Sequence, residues 1–239
     1  MLKTYWNATR APRYSVIVAL PLFVTYEVMA AAIAGPMGVR NAAEVILDSP
    51  FLALFGWRGP LVLMGLLIAL GLWLAARDLR AHGPVRTAFF AFMLLEAATL
   101  ALVSGVLVSG LTARLVHPGL LAGAPQLETL SVPARLMLSL GAGLYEELLF
   151  RVILVGCLAW FGRRVLGWQP GLAGAVAVLV GATVFSLFHY VGPYGDRFGT
   201  YSFLFRALMG VFFSALYVTR GFGITAWTHA LYDVFVVLL

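Results

Sequence analysis

The sequence predicts an all-α fold, a polytopic transmembrane helix bundle with about seven spans. The chain has 239 residues, of which 62% are hydrophobic and 11% charged, and its mean hydropathy is +0.96. Soluble domains are about 45–50% apolar and about 25% charged, so this composition excludes an ordinary soluble domain. The apolar segments are continuous, without the alternation of membrane β-strands. They cover residues 14–34, 60–76, 86–110, 134–161, 170–191, 201–219 and 222–239.

The remaining composition narrows the class of protein further. Cys157 is the single cysteine, so the chain has no internal disulfide framework. The net charge of +6 comes from an excess of Lys and Arg residues that stand singly or in pairs at the ends of apolar runs. Nucleic-acid binders instead cluster basic residues on one face or segment. We therefore expect a lipid bilayer around the chain and no nucleic-acid partner.

Between the first two apolar segments, residues 36–59 mix charged side chains with a short apolar patch. A membrane-spanning helix takes about 20 apolar residues, and this stretch is too polar and too short for that. We interpret it as an interfacial helix followed by a loop.

Small residues recur in the fourth and fifth apolar segments. Such residues let the backbones of neighbouring membrane helices approach closely. We expect them to serve packing rather than chemistry. They are Gly141, Gly143, Ala173, Ala177 and Gly181.

Basic residues between the apolar segments indicate the orientation of the bundle, because Lys and Arg accumulate on the cytoplasmic side of a membrane. With seven spans, and with Arg151 left out because it lies inside one, nine basic residues fall on the N-terminal side and six on the other. This difference favours a cytoplasmic N-terminus. The nine are Lys3, Arg10, Arg13, Arg77, Arg80, Arg86, Arg163, Arg164 and Arg220; the six are Arg40, Arg58, Arg114, Arg135, Arg197 and Arg206.

Ionisable residues inside apolar segments show where chemistry is expected. Each costs about 2.5–3.5 kcal/mol at the centre of a membrane helix, and intramembrane charges mark functional sites. Three segments bring nearly all of them, and their polar groups need a common interior. The fourth segment contains Glu146, Glu147 and Arg151, the fifth contains His189, and the seventh contains His229 and Asp233.

The spacing of these residues predicts how they pair. Glu147 and Arg151 are i and i+4, so they share a helix face and form a structural ion pair. Glu146 lies about 100° round an α-helix from Glu147 and faces the bundle interior, where it suits a general base acting on water. His229 and Asp233 share one face of the last helix. There the carboxylate either fixes the imidazole tautomer or contributes directly to a polar pocket.

Three motifs built on these residues resemble those of the CPBP family of intramembrane proteases, also called the CAAX-protease or Abi family, which includes the type II CAAX prenyl endopeptidases. The family motif E-E-x-x-x-R is similar to residues 146–151, EELLFR. The motif F-x-x-x-H is similar to residues 185–189, FSLFH, and the motif H-x-x-x-N or H-x-x-x-D to residues 229–233, HALYD. The resemblance covers about residues 134–239, and its specificity comes from the order of all three motifs.

The resemblance implies a glutamate-type intramembrane protease. Glu146 would be the general base, His189 would activate water with it, and His229 with its partner Asp233 would stabilise the oxyanion. Three further residues would support the site: Glu147, Arg151 and Phe185.

Asp233 stands where the family motif also allows Asn. An Asn donates a hydrogen bond to an oxyanion, whereas an ionised Asp cannot. Asp233 is therefore protonated, acts through His229, or binds a metal. The expectation for cofactors is accordingly either none or a divalent metal such as zinc, since all four side chains are competent zinc ligands. The candidate ligands are Glu146, His189, His229 and Asp233.

The resemblance divides one integral membrane domain into two parts. Residues 1–133 contain the N-terminal spans and the interfacial segment, and residues 134–239 form the catalytic helical core. With the N-terminus in the cytoplasm, the site opens toward the outer half of the membrane, which we take to be the bacterial inner membrane. We therefore predict cleavage near the C-terminus of a membrane-associated protein or peptide. The alternative is a type II CAAX prenyl endopeptidase acting on lipidated cytosolic tails.

Two other classes of protein are compatible with intramembrane carboxylates and imidazoles. One is a proton-coupled transporter in which Glu146, His189 and His229 form a relay. The other is a non-catalytic immunity protein that keeps the fold. The compact length and the order of the three motifs favour the protease. The sequence predicts no oligomeric state.

Overall fold

The computed structural model describes residues 2–34, 38–116, 130–192 and 195–239. The regular secondary structure of these ranges is entirely helical and includes no strand, which confirms the predicted all-α fold. A 3₁₀ turn, Gly56–Arg58, joins α3 to α4, and a π-helix, Ala142–Val155, joins α6 to α7. The α-helices are α1 Leu2–Thr9, α2 Pro12–Ala34, α3 Ala42–Phe55, α4 Gly59–His82, α5 Ala88–Leu115, α6 Val132–Gly141, α7 Gly156–Arg164, α8 Pro170–Phe188, α9 Thr200–Arg220 and α10 Phe222–Leu238.

Five helical stretches of the described chain are long and apolar enough to cross a bilayer, as expected of an integral membrane protein. They overlap five of the seven predicted spans, and the stretch Ala42–His82 also takes in most of the segment 36–59 that was predicted to be interfacial. The predicted span 134–161 lies within α6, the π-helix and α7, and the predicted span 222–239 corresponds to the 17-residue α10. The count of seven spans stays a prediction. The five stretches are Pro12–Ile33, Ala42–His82, Ala88–Leu115, Pro170–Phe188 and Thr200–Arg220.

The segment 36–59, of which residues 36 and 37 lie outside the described ranges, contains the predicted helix but little of the predicted loop. Helix α3 ends at Phe55 and is followed by Gly56, whose positive φ of 58° is a conformation that glycine adopts readily. The 3₁₀ turn then leads directly into α4. This connection is tight because Gly59 lies against the backbone of Phe51 and Leu52, where a Cβ atom has no room.

Local signals in the sequence explain where the helices begin and end. The side chains of Asn41 and Ser131 cap the N-termini of α3 and α6 by accepting backbone N–H groups. Gly83 and Gly221 follow the C-termini of α4 and α9 with positive φ. Proline, which fits the first turn of a helix, stands at the start of four of them, as Pro12, Pro60, Pro133 and Pro170.

A buried ion pair attaches α1 to the bundle. The Arg220 guanidinium on α9 donates from Nε and Nη2 to the two carboxylate oxygens of Glu96 on α5, at 2.6 and 2.8 Å. It also donates to the Trp6 carbonyl on α1, at 2.9 Å. Burial and the Glu96 carboxylate raise the pKa of the Tyr5 phenol, which therefore stays protonated and donates to Glu96. The sequence analysis did not single out Glu96.

Helix α10 lies at the centre of the bundle, in contact with α2, α5, α6, α9 and the π-helix. Its small residues Ala226 and Ala230 are fully buried. Gly143 of the π-helix faces them, and a Cβ atom there would meet the Ala226 carbonyl oxygen and the Ala230 Cβ. The predicted role of small residues in close helix packing is confirmed at this contact.

We expect Gly143→Ala to destabilise the protein, because the added methyl group must push α10 away from the π-helix. Overpacking of this kind costs about 1–3 kcal/mol. The measurement is the midpoint of thermal unfolding in detergent. Gly65→Ala on α4 is the matched control, since nothing lies within 4 Å of its Cβ position. Equal midpoints for the two variants would contradict the close contact.

Candidate active site

Three helices bring the predicted polar residues together. The π-helix carries Glu146, Glu147 and Arg151, α8 is followed directly by His189, and α10 carries His229 and Asp233. The π-helix contacts both α8 and α10. The common polar interior that the sequence predicted is therefore present.

The π-helix corrects the prediction of a plain α-helix over residues 134–161. Its i→i+5 hydrogen bonds widen the turn, so the angle of about 100° expected between Glu146 and Glu147 for an α-helix does not apply. Nevertheless Arg151 remains beside Glu147. Short π segments are frequent at functional sites, and here the whole motif-bearing stretch adopts this geometry.

Glu147 connects Arg151 to His229. Its Oε1 atom lies 3.1 Å from Arg151 Nη1, so the ion pair predicted from the sequence forms. The same atom accepts a hydrogen bond of 2.6 Å from His229 Nδ1. The sequence analysis considered Asp233 for fixing the imidazole tautomer, but the partner of Nδ1 is Glu147. Glu147 and Arg151 are almost completely buried, and a buried ion pair needs such additional partners to offset its desolvation.

Two aromatic rings enclose the Arg151 guanidinium. It lies 4.3 Å from the centre of the Phe185 ring and 5.3 Å from that of Phe213, within the range of cation–π attraction. Phe213 also stacks on His229 with 4.4 Å between ring centres. Phe185, predicted as a supporting residue, contacts both His189 and His229 edge to face.

Glu146 has two carboxylate oxygens in different surroundings. Oε1 accepts a hydrogen bond of 3.1 Å from Asn41 Nδ2 at the start of α3. Oε2 is buried, has no hydrogen-bond partner among the described residues, and lies 4.0 Å from His229 Nε2. This distance is too long for a hydrogen bond. One oxygen of Glu146 is thus held by the protein, and the other faces His229.

Asp233 lies on the open side of His229. Its Oδ2 atom is 3.7 Å from His229 Nε2, and about a third of its side chain is exposed. Of the two roles considered for this carboxylate, the geometry matches a direct contribution to the polar pocket. It is too far from Nε2 for a hydrogen bond and acts on the ring through its charge.

His189 is oriented by the backbone of its own helix. Its Nδ1 atom lies 2.9 Å from the Phe185 carbonyl oxygen, and because a carbonyl only accepts, Nδ1 carries the proton. In the neutral ring, Nε2 then has a free lone pair. Within the described part of the chain, His189 makes no ion pair with Glu146. The two predicted water-activating groups therefore do not touch each other directly.

Sequence reasoning missed Asn41, which lies outside the apolar segments. A signal was present, because Asn41 precedes the α3 sequence by one residue and Glu44 follows three positions later, a capping-box spacing. That spacing predicts a helix start and does not predict a contact with Glu146. Nearby, a polar network formed by Glu27, Arg40 and Glu44 adjoins the site.

The predicted alternatives for a cofactor were none or a divalent metal such as zinc. In the ranges that the structure describes, no group of three or more His, Cys, Asp or Glu side chains is arranged to hold a metal ion. Of the candidate ligands, His229 Nε2 lies near the carboxylates of Glu146 and Asp233, at 4.0 and 3.7 Å. The expectation of either no cofactor or a divalent metal stays a prediction.

Comparison with known proteins agrees with the motif resemblance. Residues 128–235 match the family model described as Rce1-like, type II CAAX prenyl endopeptidase Rce1-like. This region includes all three motifs, so the predicted resemblance to CAAX proteases is confirmed there. The match indicates a membrane protease. No curated protein and no solved structure matches the chain significantly.

We expect Glu147→Gln to destabilise the protein strongly, because it leaves the Arg151 charge buried without its partner. Breaking a buried ion pair in this way costs about 3–5 kcal/mol, whereas replacing both partners by apolar groups is often tolerated. The double variant Glu147→Leu with Arg151→Met should recover much of the loss. Thermal unfolding in detergent measures both. A single variant as stable as the wild type would show that the ion pair is not a structural requirement.

Proposed function

We propose, from the match of residues 128–235 to the Rce1-like family, that the chain is an intramembrane endopeptidase that hydrolyses a peptide bond near the C-terminus of a membrane-associated protein. The observation that carries the mechanism is the pair formed by Glu146 Oε2 and His229 Nε2, 4.0 Å apart. Each belongs to a side chain whose other polar atom is already bonded. A water molecule beside this pair can lie within hydrogen-bond distance of both atoms.

In this mechanism Glu146 is the general base. Oε2 accepts a proton from a water molecule while the water oxygen attacks the scissile carbonyl carbon. When the resulting tetrahedral intermediate collapses, the C–N bond breaks and the proton passes to the leaving amine. His189 helps to orient the water, because its Nδ1–H is committed to the Phe185 carbonyl and its Nε2 lone pair is available.

His229 stabilises the oxyanion of the intermediate. Its Nδ1–H donates to Glu147, so Nε2 donates to the oxyanion only when the ring is an imidazolium. The carboxylates of Glu146, Glu147 and Asp233 lie around this ring and stabilise its positive charge. Asp233 thus acts through His229, which accounts for an acid where the family motif also has Asn.

We consider two substrate classes, and each has an observation in its favour. The family description names prenyl endopeptidases, which favours a tail carrying a lipid on a cysteine. The distribution of basic residues favours a cytoplasmic N-terminus and a site open to the outer half of the bacterial inner membrane, hence an exported or tethered protein. Matched peptides with and without the prenyl group distinguish them by their kcat/KM values.

We expect Glu146→Gln to reduce kcat by about 100-fold to 10,000-fold, the usual contribution of a general base. The assay is hydrolysis of C-terminal reporter peptides by the purified protein in liposomes. In parallel, mass spectrometry compares the C-termini of envelope proteins between cells that produce the wild-type protein and cells that produce the Glu146→Gln variant. Asp78→Asn is the matched control, because it makes the same carboxyl-to-amide change at a residue paired with Arg13 outside the site.

Hydrolysis that is equal in the wild type and Glu146→Gln would contradict the mechanism. Proton flux into liposomes that Glu146→Gln abolishes, without any hydrolysis, would instead identify the transporter. An unchanged cellular phenotype of a folded Glu146→Gln protein would identify the non-catalytic immunity protein.

We expect chelators to leave the rate unchanged, because Glu146 acts as a base without a metal in the proposed mechanism. The measurement is peptide hydrolysis after incubation with phenanthroline or EDTA. Loss of hydrolysis that added zinc restores would overturn the metal-free mechanism and favour the candidate ligands Glu146, His189, His229 and Asp233. The Glu146→Gln variant gives the background rate of peptide hydrolysis.

A further inference from the structure

Among the described residues of the N-terminal part, Asn41 is the one whose side chain hydrogen-bonds the proposed general base. It lies before the first turn of α3, is buried, and donates from Nδ2 to Glu146 Oε1 at 3.1 Å. The two residues are 105 positions apart in the chain. Asn41 also lies outside residues 128–235, the region that matches the family model.

The orientation of the Asn41 amide follows from its second bond. Its Oδ1 atom accepts the backbone N–H of Ala43 at 2.9 Å and caps α3. A backbone N–H only donates, so the atom that it contacts is the amide oxygen. The amide nitrogen must therefore point to Glu146. Capping the helix and holding the carboxylate are two functions of one side chain, served by its two different atoms.

The backbone of Asn41 is held as well. Its N–H donates to the Tyr26 hydroxyl at 3.3 Å, and that hydroxyl donates to the Glu44 carboxylate. Glu44 in turn pairs with Arg40, which also pairs with Glu27 on α2. Gly141 makes room for this arrangement, because a Cβ atom there would lie 3.1 Å from the Asn41 Cβ. Asn41 is thus fixed relative to α2, α6 and the π-helix.

The Asn41 bond decides which oxygen of Glu146 remains available. With Oε1 bonded to the amide, Oε2 is directed at His229 Nε2, where the proposed chemistry takes place. A carboxylate without this bond is free to rotate. We infer that Asn41 is a positioning residue for Glu146, supplied by the N-terminal part of the chain to complete the site. This inference rests on the proposed function for its catalytic consequence only.

The first test separates capping from positioning. Asn41→Ser and Asn41→Asp both keep a good N-cap but remove the amide donor, and Asp adds a charge that repels Glu146. We expect kcat to fall about tenfold to hundredfold in Asn41→Ser, from the loss of a hydrogen bond to a charged group, and further in Asn41→Asp. KM should change little. Ser131→Ala is the control, because it removes the N-cap of α6 without contact to Glu146.

The second test needs no enzymatic activity. A cycle of Asn41→Ser, Glu146→Leu and the double variant measures whether the two residues stabilise each other, because leucine, unlike glutamine, cannot accept the Asn41 hydrogen bond. We expect the shifts of the unfolding midpoint to be non-additive by about 2–6 °C, as for residues in direct contact. The same cycle with Ser131→Ala in place of Asn41→Ser should be additive. Combining Asn41→Asp with Glu146→Gln reverses the hydrogen bond, because the amide at position 146 then donates to the carboxylate at position 41. We expect this double variant to recover stability but not hydrolysis.

The outcomes distinguish the two proposals. A wild-type chain that hydrolyses no better than Glu146→Gln contradicts the proposed function, while the stability cycle still decides the contact. Additive shifts of the unfolding midpoint would contradict the hydrogen bond between Asn41 and Glu146. If the shifts of the unfolding midpoint are non-additive but Asn41→Ser keeps the wild-type kcat, Asn41 caps α3 and contacts Glu146 without positioning it for catalysis, and the inference is wrong. Coupled midpoints with a reduced kcat and an unchanged KM support the inference.

Discussion

A buried carboxylate that is shared by two cationic or protonated partners holds the polar interior together. Glu147 Oε1 contacts both Arg151 and His229, and all three side chains are removed from solvent. Charges in an apolar interior are stable only when each has a partner within contact distance. This requirement forces α10 against the π-helix, and the packing of Gly143 against Ala230 makes the approach sterically feasible.

The residues around Glu147, Arg151 and His229 give the two ring nitrogens of His229 different and defined surroundings. Because His229 Nδ1 donates a hydrogen bond to Glu147, Nε2 is the ring nitrogen that faces Glu146 and Asp233. Aromatic rings fill the remaining space, with Phe213 between His229 and Arg151. An aromatic wall strengthens electrostatic interactions because it lowers the local dielectric. The site therefore combines preorganised polar atoms with surroundings in which their charges interact strongly.

The N-terminal part of the chain contributes to the site through hydrogen bonds as well as through packing. The family match covers residues 128–235, yet Glu146 is bonded to Asn41, and Tyr145 beside it is bonded to Glu27. Both contacts originate in α2 or at the start of α3. The polar network that supports them lies next to the proposed general base. The N-terminal helices are therefore structural components of the same site.

The sequence by itself determined the helical membrane class, the three polar helices and the Glu147–Arg151 pair, because hydropathy and i,i+4 spacing are properties of short segments. It did not determine the π-helix, or the contacts of Glu147 with His229 and of Glu146 with Asn41. These join residues 82 and 105 positions apart. Only the tertiary structure decided them, because the rotation and approach of packed helices set which polar atoms meet, and no local periodicity encodes that geometry.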